Sequence, residues 1–435
     1  MDSVTDFDFD AIVVGSGCAG SVAAYELASA GRSVLVVERG EAAGSKNMTG
    51  GRIYSHSLKR VFPDFEREAP LERRIAHERI ALMSSDACFA ADFSSEKMLQ
   101  EGSDSYSVLR GPFDRWLASK AEDAGAEYIY GIAVEEVVRD DASRIVGVRA
   151  GEDEITAPVT VLCDGVNSLL TEQAVGAKRP PASQIAVGIK ETLALPAGVI
   201  TDRILASSDD EGAAWMIAGD ATKGRFGGGF MYTNKDSVSL GIVSGIEAVA
   251  SGTCPIYQML EDLKAHPSVA PLIRGAEVVE HSGHMVPEGG LSIMPSLVGD
   301  GVMLAGESAM MCINFGYAVR GMDYAVAAGS MAGRAASAAI ESGDVSERGL
   351  RRYIDMLEDS FVLKDLREFS KAPAFMEHFD RMFRGYPEMV RDIMNSMFVI
   401  DGSPAKHVKD MVMPPVKETG LLNILKDVRG AMKAL

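Results

Sequence analysis

Only five cysteines occur in the 435 residues, at positions 18, 88, 163, 254 and 312. Such wide spacing offers neither a disulfide framework nor a CxxC-type metal or cluster site, and it points to a reducing compartment. No run of 18 apolar residues occurs, which excludes a membrane-spanning helix but not a peripheral one. The opening residues Met1 to Asp10 are acidic where a secretory signal is basic. Basic charge is also scarce. Lys and Arg number 43 against 62 Asp and Glu, and the net charge of −19 repels nucleic acid phosphates, so a DNA or RNA partner is ruled out. Internal repeats and low-complexity linkers are absent. What remains is a globular composition, 47% hydrophobic and 24% charged, in a chain long enough for about three domains or one large two-part enzyme.

The first forty residues carry the clearest local pattern. Phe9 to Gly15 is a short β-branched run, residues 17–31 are small and apolar at helical spacing, and Ser33 to Glu38 is again strand-like. This is a βαβ unit, and Gly15-Ser16-Gly17-Cys18-Ala19-Gly20 occupies its first turn. In such a turn Gly15 bends the chain, Gly17 lets backbone approach a pyrophosphate, and Gly20 lets helix and strand pack closely. The helix N-terminus then faces phosphate, and Glu38, at the end of the second strand, is placed to accept ribose hydroxyls. A dinucleotide site is expected here. Further on, residues 113–126 read as a helix, followed by strands at Val134 to Val138, Ile145 to Val148 and Val159 to Cys163. From about Ser183 to Met294 alternating strands and Gly-rich turns predict a separate sheet. Residues 301–306 return to a buried strand, Gly316 to about Ile340 is an Ala-rich helix, and the remainder is helical.

Two later segments say which dinucleotide. Val159 to Ser168, with Cys163-Asp164-Gly165 and Asn167 at its centre, resembles the "DG" segment of the large flavoprotein family of aromatic hydroxylases and geranylgeranyl reductases. Val302 to Ala309 resembles that family's "GD" ribityl-binding segment, with Glu307 where the family usually has Asp. The likeness narrows at Lys46 to Tyr54, Val187 to Thr192, Gly316 to Asp323 and Phe361 to Phe375. These segments resemble electron-transfer flavoprotein:quinone oxidoreductases, and within them the FixC branch. The likeness runs over roughly residues 8–376.

The resemblance implies an α/β fold. A Rossmann-like FAD-binding domain of glutathione-reductase-2 type is expected from residues 1–80, 105–183 and 295–345. Residues 81–104 and 184–294 would form a β-sheet-rich substrate or quinone domain, and 346–435 a helical C-terminal region. Implied cofactor-binding residues are Gly15, Gly17, Cys18, Ala19, Gly20, Glu38, Arg39, Asn47, Thr49, Gly50, Gly51, Arg110, Val134, Cys163, Asp164, Gly165, Asn167, Gly306, Glu307, Gly316 and Tyr317. Arg320 and Tyr317 are candidates beside the flavin ring, with an ion pair to Asp323 as the competing role for Arg320. The FAD would be noncovalent, since no His or Cys stands in a covalent-linkage motif, and any iron–sulfur cluster would belong to a partner. Implied partners are electron-transferring flavoprotein subunits, a small ferredoxin-like subunit and a membrane quinone, in a FixABCX-type complex that allows electron pairs to be split. The place expected is cytoplasmic, peripheral on the inner face of the membrane. The alternative reading is a self-sufficient NAD(P)H-dependent reductase or hydroxylase acting on a lipid or aromatic substrate. A single dinucleotide fingerprint favours the first reading, since Gly224 to Gly229 has the wrong spacing for a second.

His281 and His284, at i and i+3, suggest a metal pair only weakly, and no metal is expected. The methionines crowded from Met376 to Met413 mark either an amphipathic helix packed on its own domain or an adaptable partner surface. Finally, Leu421, Leu425, Val428, Met432 and Leu435 fall on one helical face flanked by Lys426, Arg429 and Lys433. That is the pattern of an interfacial helix.

Overall fold

The structure, a computed structural model, describes residues 7–47, 51–252 and 254–435. Two sheets organise it. The first has six strands in the order Val298–Gly299, Val302–Leu304, Val159–Leu162, Ala11–Val14, Val34–Glu38 and Glu127–Tyr130, all parallel except the first. Parallel strands are covered on both faces and read as unbroken apolar runs. Ala11, Ile12 and Val13 accordingly have no exposed surface. Helix Cys18–Ser29 packs on this sheet and is itself crossed by the long helix Met322–Ser342. Small residues make that crossing close. A Cβ at Gly329 would stand 2.2 Å from the Ala19 carbonyl oxygen, and one at Gly333 2.5 Å from that of Ala23. A three-stranded antiparallel ribbon, Glu136–Arg139, Ile145–Ala150 and Asp153–Thr156, flanks the sheet.

The second sheet has nine strands. Its order is Glu277–Pro287, Ile185–Ala194, Ser237–Gly245, Gly227–Thr233, Glu211–Gly219, Leu71–Met83, Ser105–Val108 and Gly51–Tyr54, with Cys88–Phe93 paired beside Leu71–Met83. Strands that begin before residue 81 and after residue 104 thus join this sheet as well. Its two faces differ, as period-2 alternation requires. One carries Ile189, Leu193, Leu240, Ile242, Met231 and Ile217, packed with Met259, Leu260 and Leu263 of helix Ile256–Ala265. The opposite face carries Lys190, Thr192, Phe230 and Tyr232 on the side of the nucleotide-binding half.

The C-terminal region is helical from Arg352 onward, and Tyr353, Leu357, Val362 and Leu366 enter the core of the first sheet. The methionine-bearing helix Gly385–Phe398 lies against strands Leu71–Met83 and Cys88–Phe93, with Met389, Met394 and Met397 partly covered. The last helix, Leu421–Ala434, is fastened by one buried carboxylate. Asp427 accepts from Arg381 Nε at 2.5 Å and Nη2 at 2.6 Å, and from the Tyr386 hydroxyl at 2.6 Å.

One expected element starts later. The Ala-rich helix begins at Met322 rather than near Gly316. Gly316 at φ +82°, its N–H bonded to Asn314 Oδ1 at 2.8 Å, instead turns a small hairpin of Ile313–Asn314 and Val319–Arg320. Arg320 therefore precedes the helix, and Gly321 stands at its N-cap.

Candidate functional site

A cleft opens at the carboxyl ends of the parallel strands, where ligands bind in open α/β sheets. Strand Ala11–Val14 ends in Gly15 at φ +96°, a conformation that a side chain resists, and a Cβ there would also meet the Cys163 carbonyl oxygen at 2.5 Å. Gly17 then caps helix Cys18–Ser29 with no side-chain hydrogen bond and no acidic residue in the first turn. A Cβ on Gly17 would find nothing nearer than 3.8 Å, so the position is an open cradle at the positive end of the helix dipole. Gly20 does a different job. Its missing Cβ would lie 1.9 Å from the Gly15 carbonyl oxygen, so it permits the packing and does not line the cleft.

Glu38, at the end of the second strand, is held by the turn itself. Its Oε2 accepts from the Ser16 N–H at 2.8 Å and hydroxyl at 3.1 Å, and its Oε1 from the Gly40 N–H at 2.7 Å. Arg39, Val134, Cys163, Asp164, Gly165 and Asn167 join it along the wall. Asp164 is the telling residue. Burial pushes its carboxyl up to about 6, and its Oδ1 has no hydrogen-bond partner among the described residues. A buried acceptor without a donor is a cost that a bound polyhydroxy ligand removes. Burial likewise pushes the Cys18 thiol up to about 12, so it serves as a small apolar wall and not as a nucleophile.

Across the cleft, Arg110 grips Asp114 in a bidentate pair at 2.9 and 2.8 Å, and Asn47 donates to the same carboxylate. Asp114 has no exposed surface, so these donors are what keep its charge tolerable. Gly306 at φ +71° turns the chain beneath the floor, and Glu307 lies 3.2 Å from His284 Nε2. Gly321, Met322 and Ala325 bring the start of the long helix to the same floor.

The cleft thus gathers Gly15, Gly17, Cys18, Ala19, Glu38, Arg39, Asn47, Arg110, Val134, Cys163, Asp164, Gly165, Asn167, Gly306 and Glu307 from stretches far apart in the chain. Gly51 stands one layer back, against Met322 Sδ. Thr49 and Gly50 lie outside the described residues. Gly316 and Tyr317 sit elsewhere, the former against Leu435 and Met376, the latter 56% exposed and stacked on Phe315. Arg320 is committed to an ion-pair cluster. It binds Asp323 through Nε at 2.8 Å and Asp365 at 2.6 Å, and lies over the rings of Tyr324 and Phe361 at 4.7 and 4.9 Å. Asp323 is 1% exposed, so this pairing is what lets a carboxylate stay buried.

From the sequence His284 is no more than half of a weak metal pair. In a strand, i and i+3 point to opposite faces. His284 meets Glu307, whereas His281 lies 3.7 Å from Glu191 on the other side. No cluster of metal-ligating groups occurs among the described residues. Ile132, Ala133 and Leu169 also line the cleft and carry no motif by which a sequence would single them out, while Lys46 lines it from the start of the Lys46 to Tyr54 segment.

Comparison with known proteins agrees with this geometry. Residues 10–106 match the FAD dependent oxidoreductase family, and residues 372–435 the ETF-QO/FixC family C-terminal domain. Over 429 residues the chain is 46% identical to the probable electron transfer flavoprotein-quinone oxidoreductase YdiS of Escherichia coli K12, covering 98% of this chain and 99% of that one. It is 46% identical to Protein FixC of Salmonella typhi, over 96% and 97% of the two chains. A solved geranylgeranyl bacteriochlorophyll reductase-like protein from Thermoplasma acidophilum superposes with a TM-score of 0.70 at 19% identity, covering 97% and 99%, a likeness of fold. The near-full-length identity and the dinucleotide cleft lead to one assignment: the chain is an FAD-dependent oxidoreductase and belongs to the electron-transfer flavoprotein:quinone oxidoreductase and FixC family.

Proposed function

We propose that the chain holds FAD noncovalently in this cleft, takes electrons from an electron-transferring flavoprotein and passes them to a membrane quinone. The observation that carries this reading is 46% identity across 98% of the chain to a probable electron transfer flavoprotein-quinone oxidoreductase. The cleft's own chemistry supports it. The first-turn N–H groups of helix Cys18–Ser29 hold the diphosphate, Glu38 the adenine ribose, and Asp164 with the Gly306–Glu307 turn the polyhydroxy chain. Gly321, Met322 and Ala325 at the start of helix Met322–Ser342 would face the ring, and the positive dipole end of that helix would favour negative charge there. When bound, FAD supplies the redox chemistry, while the protein's residues orient it and set the field around it.

The five cysteines are free and scattered, so a cluster in the electron path belongs to a small ferredoxin-like partner, in a complex of FixABCX type. No helix among the described residues is long and apolar enough to cross a membrane. Access to a quinone pool then falls to the last helix. With Asp427 and Ala434 turned inward, Leu422, Leu425, Val428 and Met432 remain 81, 57, 52 and 81% exposed beside Lys426, Arg429 and Lys433. Such a face suits the inner surface of an anionic bilayer, each basic residue near it adding about 1 kcal/mol.

The test is anaerobic. Reduced electron-transferring flavoprotein should bleach the bound flavin, a short-chain ubiquinone should restore its colour, and acid precipitation should release all of it. Direct bleaching by NAD(P)H without a protein donor would overturn this reading in favour of a self-sufficient reductase or hydroxylase.

A further inference from the structure

The face of the nine-stranded sheet on the side of the nucleotide-binding half contains a group that the cleft does not account for. Strand Ile185–Ala194 places Lys190 and Thr192 on this face, and the register sets Ser282 opposite Lys190 and Glu280 opposite Thr192. Lys190 has no exposed surface, yet its Nζ forms no hydrogen bond among the described residues. Neither does the Oγ of Ser282 nor the Oγ1 of Thr192. Adjacent polar groups left unpaired in a packed sheet require an explanation beyond stability, because apolar residues would serve the core better.

Two charges bear on the amine. Glu280, on the neighbouring edge strand, favours the ammonium, and Arg110, from the nucleotide-binding half, opposes it. His284, on the same edge strand opposite Gly188, is engaged with Glu307. Arg110 and His284 both line the cleft, so Lys190 stands directly behind its wall. Burial pushes the amine down to about 7, which leaves it divided between neutral and charged forms near neutral pH. Negative charge arriving nearby then decides the balance.

We propose that Lys190 is a redox-linked proton acceptor, taking up a proton when electrons bring negative charge into the adjoining cleft and releasing it when they leave. Electrons and protons balance. The reduced donor flavoprotein gives up two electrons; one proton from water forms an N–H bond on Lys190 Nζ and a second goes to the cofactor. Delivery of both electrons to a quinone, which needs two protons to become a quinol, removes both. This role rests on the cofactor and acceptor proposed above, but the potentiometric test needs neither partner nor quinone.

The midpoint potential of the FAD-loaded protein is titrated against pH with soluble mediators. In the wild type the slope should steepen above about pH 7, where the oxidised protein holds Lys190 neutral and reduction recruits its proton. Lys190→Met and the permanently charged Lys190→Arg should both lack that break; Lys190→Gln is read in the same way if the Met variant loses FAD. A wild type without the break, or any variant that keeps it, overturns the proposal. In quinone reduction, Lys190→Met should lower kcat about a hundredfold while KM stays nearly constant. A wild type that reduces no quinone would refute the proposed function and leave the potentiometric result standing.

Discussion

Glu38 and Asp164 show how differently two carboxylates serve one cleft. Glu38 is already held by three donors from Ser16 and Gly40, which fix its carboxylate in place for the ribose contact proposed above. Glu38→Ala should weaken FAD binding by about 1–3 kcal/mol, read by fluorescence titration of the apoprotein; unchanged affinity would remove Glu38 from the site. Asp164 is raised to about 6 by burial, so the folded chain binds its proton more tightly than the unfolded chain does. Stability from this group is therefore full in acid and lost as pH rises from about 4 to about 6, a difference of about 3 kcal/mol. Asp164→Asn should accordingly gain on the wild-type apoprotein in urea melts as pH rises through that window. A constant difference would show that the carboxyl is not buried as described. Arg320 belongs to stability rather than to the cleft. Arg320→Ala leaves buried Asp323 without its main partner and should cost about 3 kcal/mol, with the flavin spectrum unchanged in protein that folds.

At the scale of elements, the last helix and the crossing helices carry opposite lessons. Helix Leu421–Ala434 docks through Asp427 and leaves its apolar stripe outward, so the stripe can be altered without loosening the dock. Leu422→Ser, Leu425→Ser and Met432→Ser combined should abolish co-sedimentation with anionic liposomes at low salt while the melting temperature stays within about 2 °C, since surface changes alter stability little. Undiminished sedimentation would place the membrane contact elsewhere. The crossing of helices Cys18–Ser29 and Met322–Ser342 tolerates no such change, because a Cβ at Gly329 would meet backbone at 2.2 Å. The same contact holds the start of the long helix at the cleft floor.

Across the whole molecule, the cleft joins both sheets, so ligand and fold are linked. Saturation with FAD a thousandfold above its Kd should add about 4 kcal/mol to the unfolding free energy, or about 5 °C in melting temperature for a chain this long. A calorimetric scan in which FAD shifts nothing would disconnect the cleft from the cofactor.

The βαβ unit and its glycine turn were legible because they are local: a buried parallel strand must be apolar throughout, and a phosphate turn needs glycine at fixed spacing. Gly15, Gly17, Gly20 and Glu38 follow from that alone, and four of the nine strands of the second sheet, those between residues 185 and 245, from alternation. The later start of the long helix was not legible, since the Ala-rich run from Ala325 extends no further back than Met322, where it meets a hairpin set by Gly316, Asn314 and the ion pairs of Arg320. Nor was the value of Lys190 or His284. A strand assigns each residue a face, but only the pairing of strands and the docking of one sheet on the other decide which face meets the cleft and which polar atoms are left without partners.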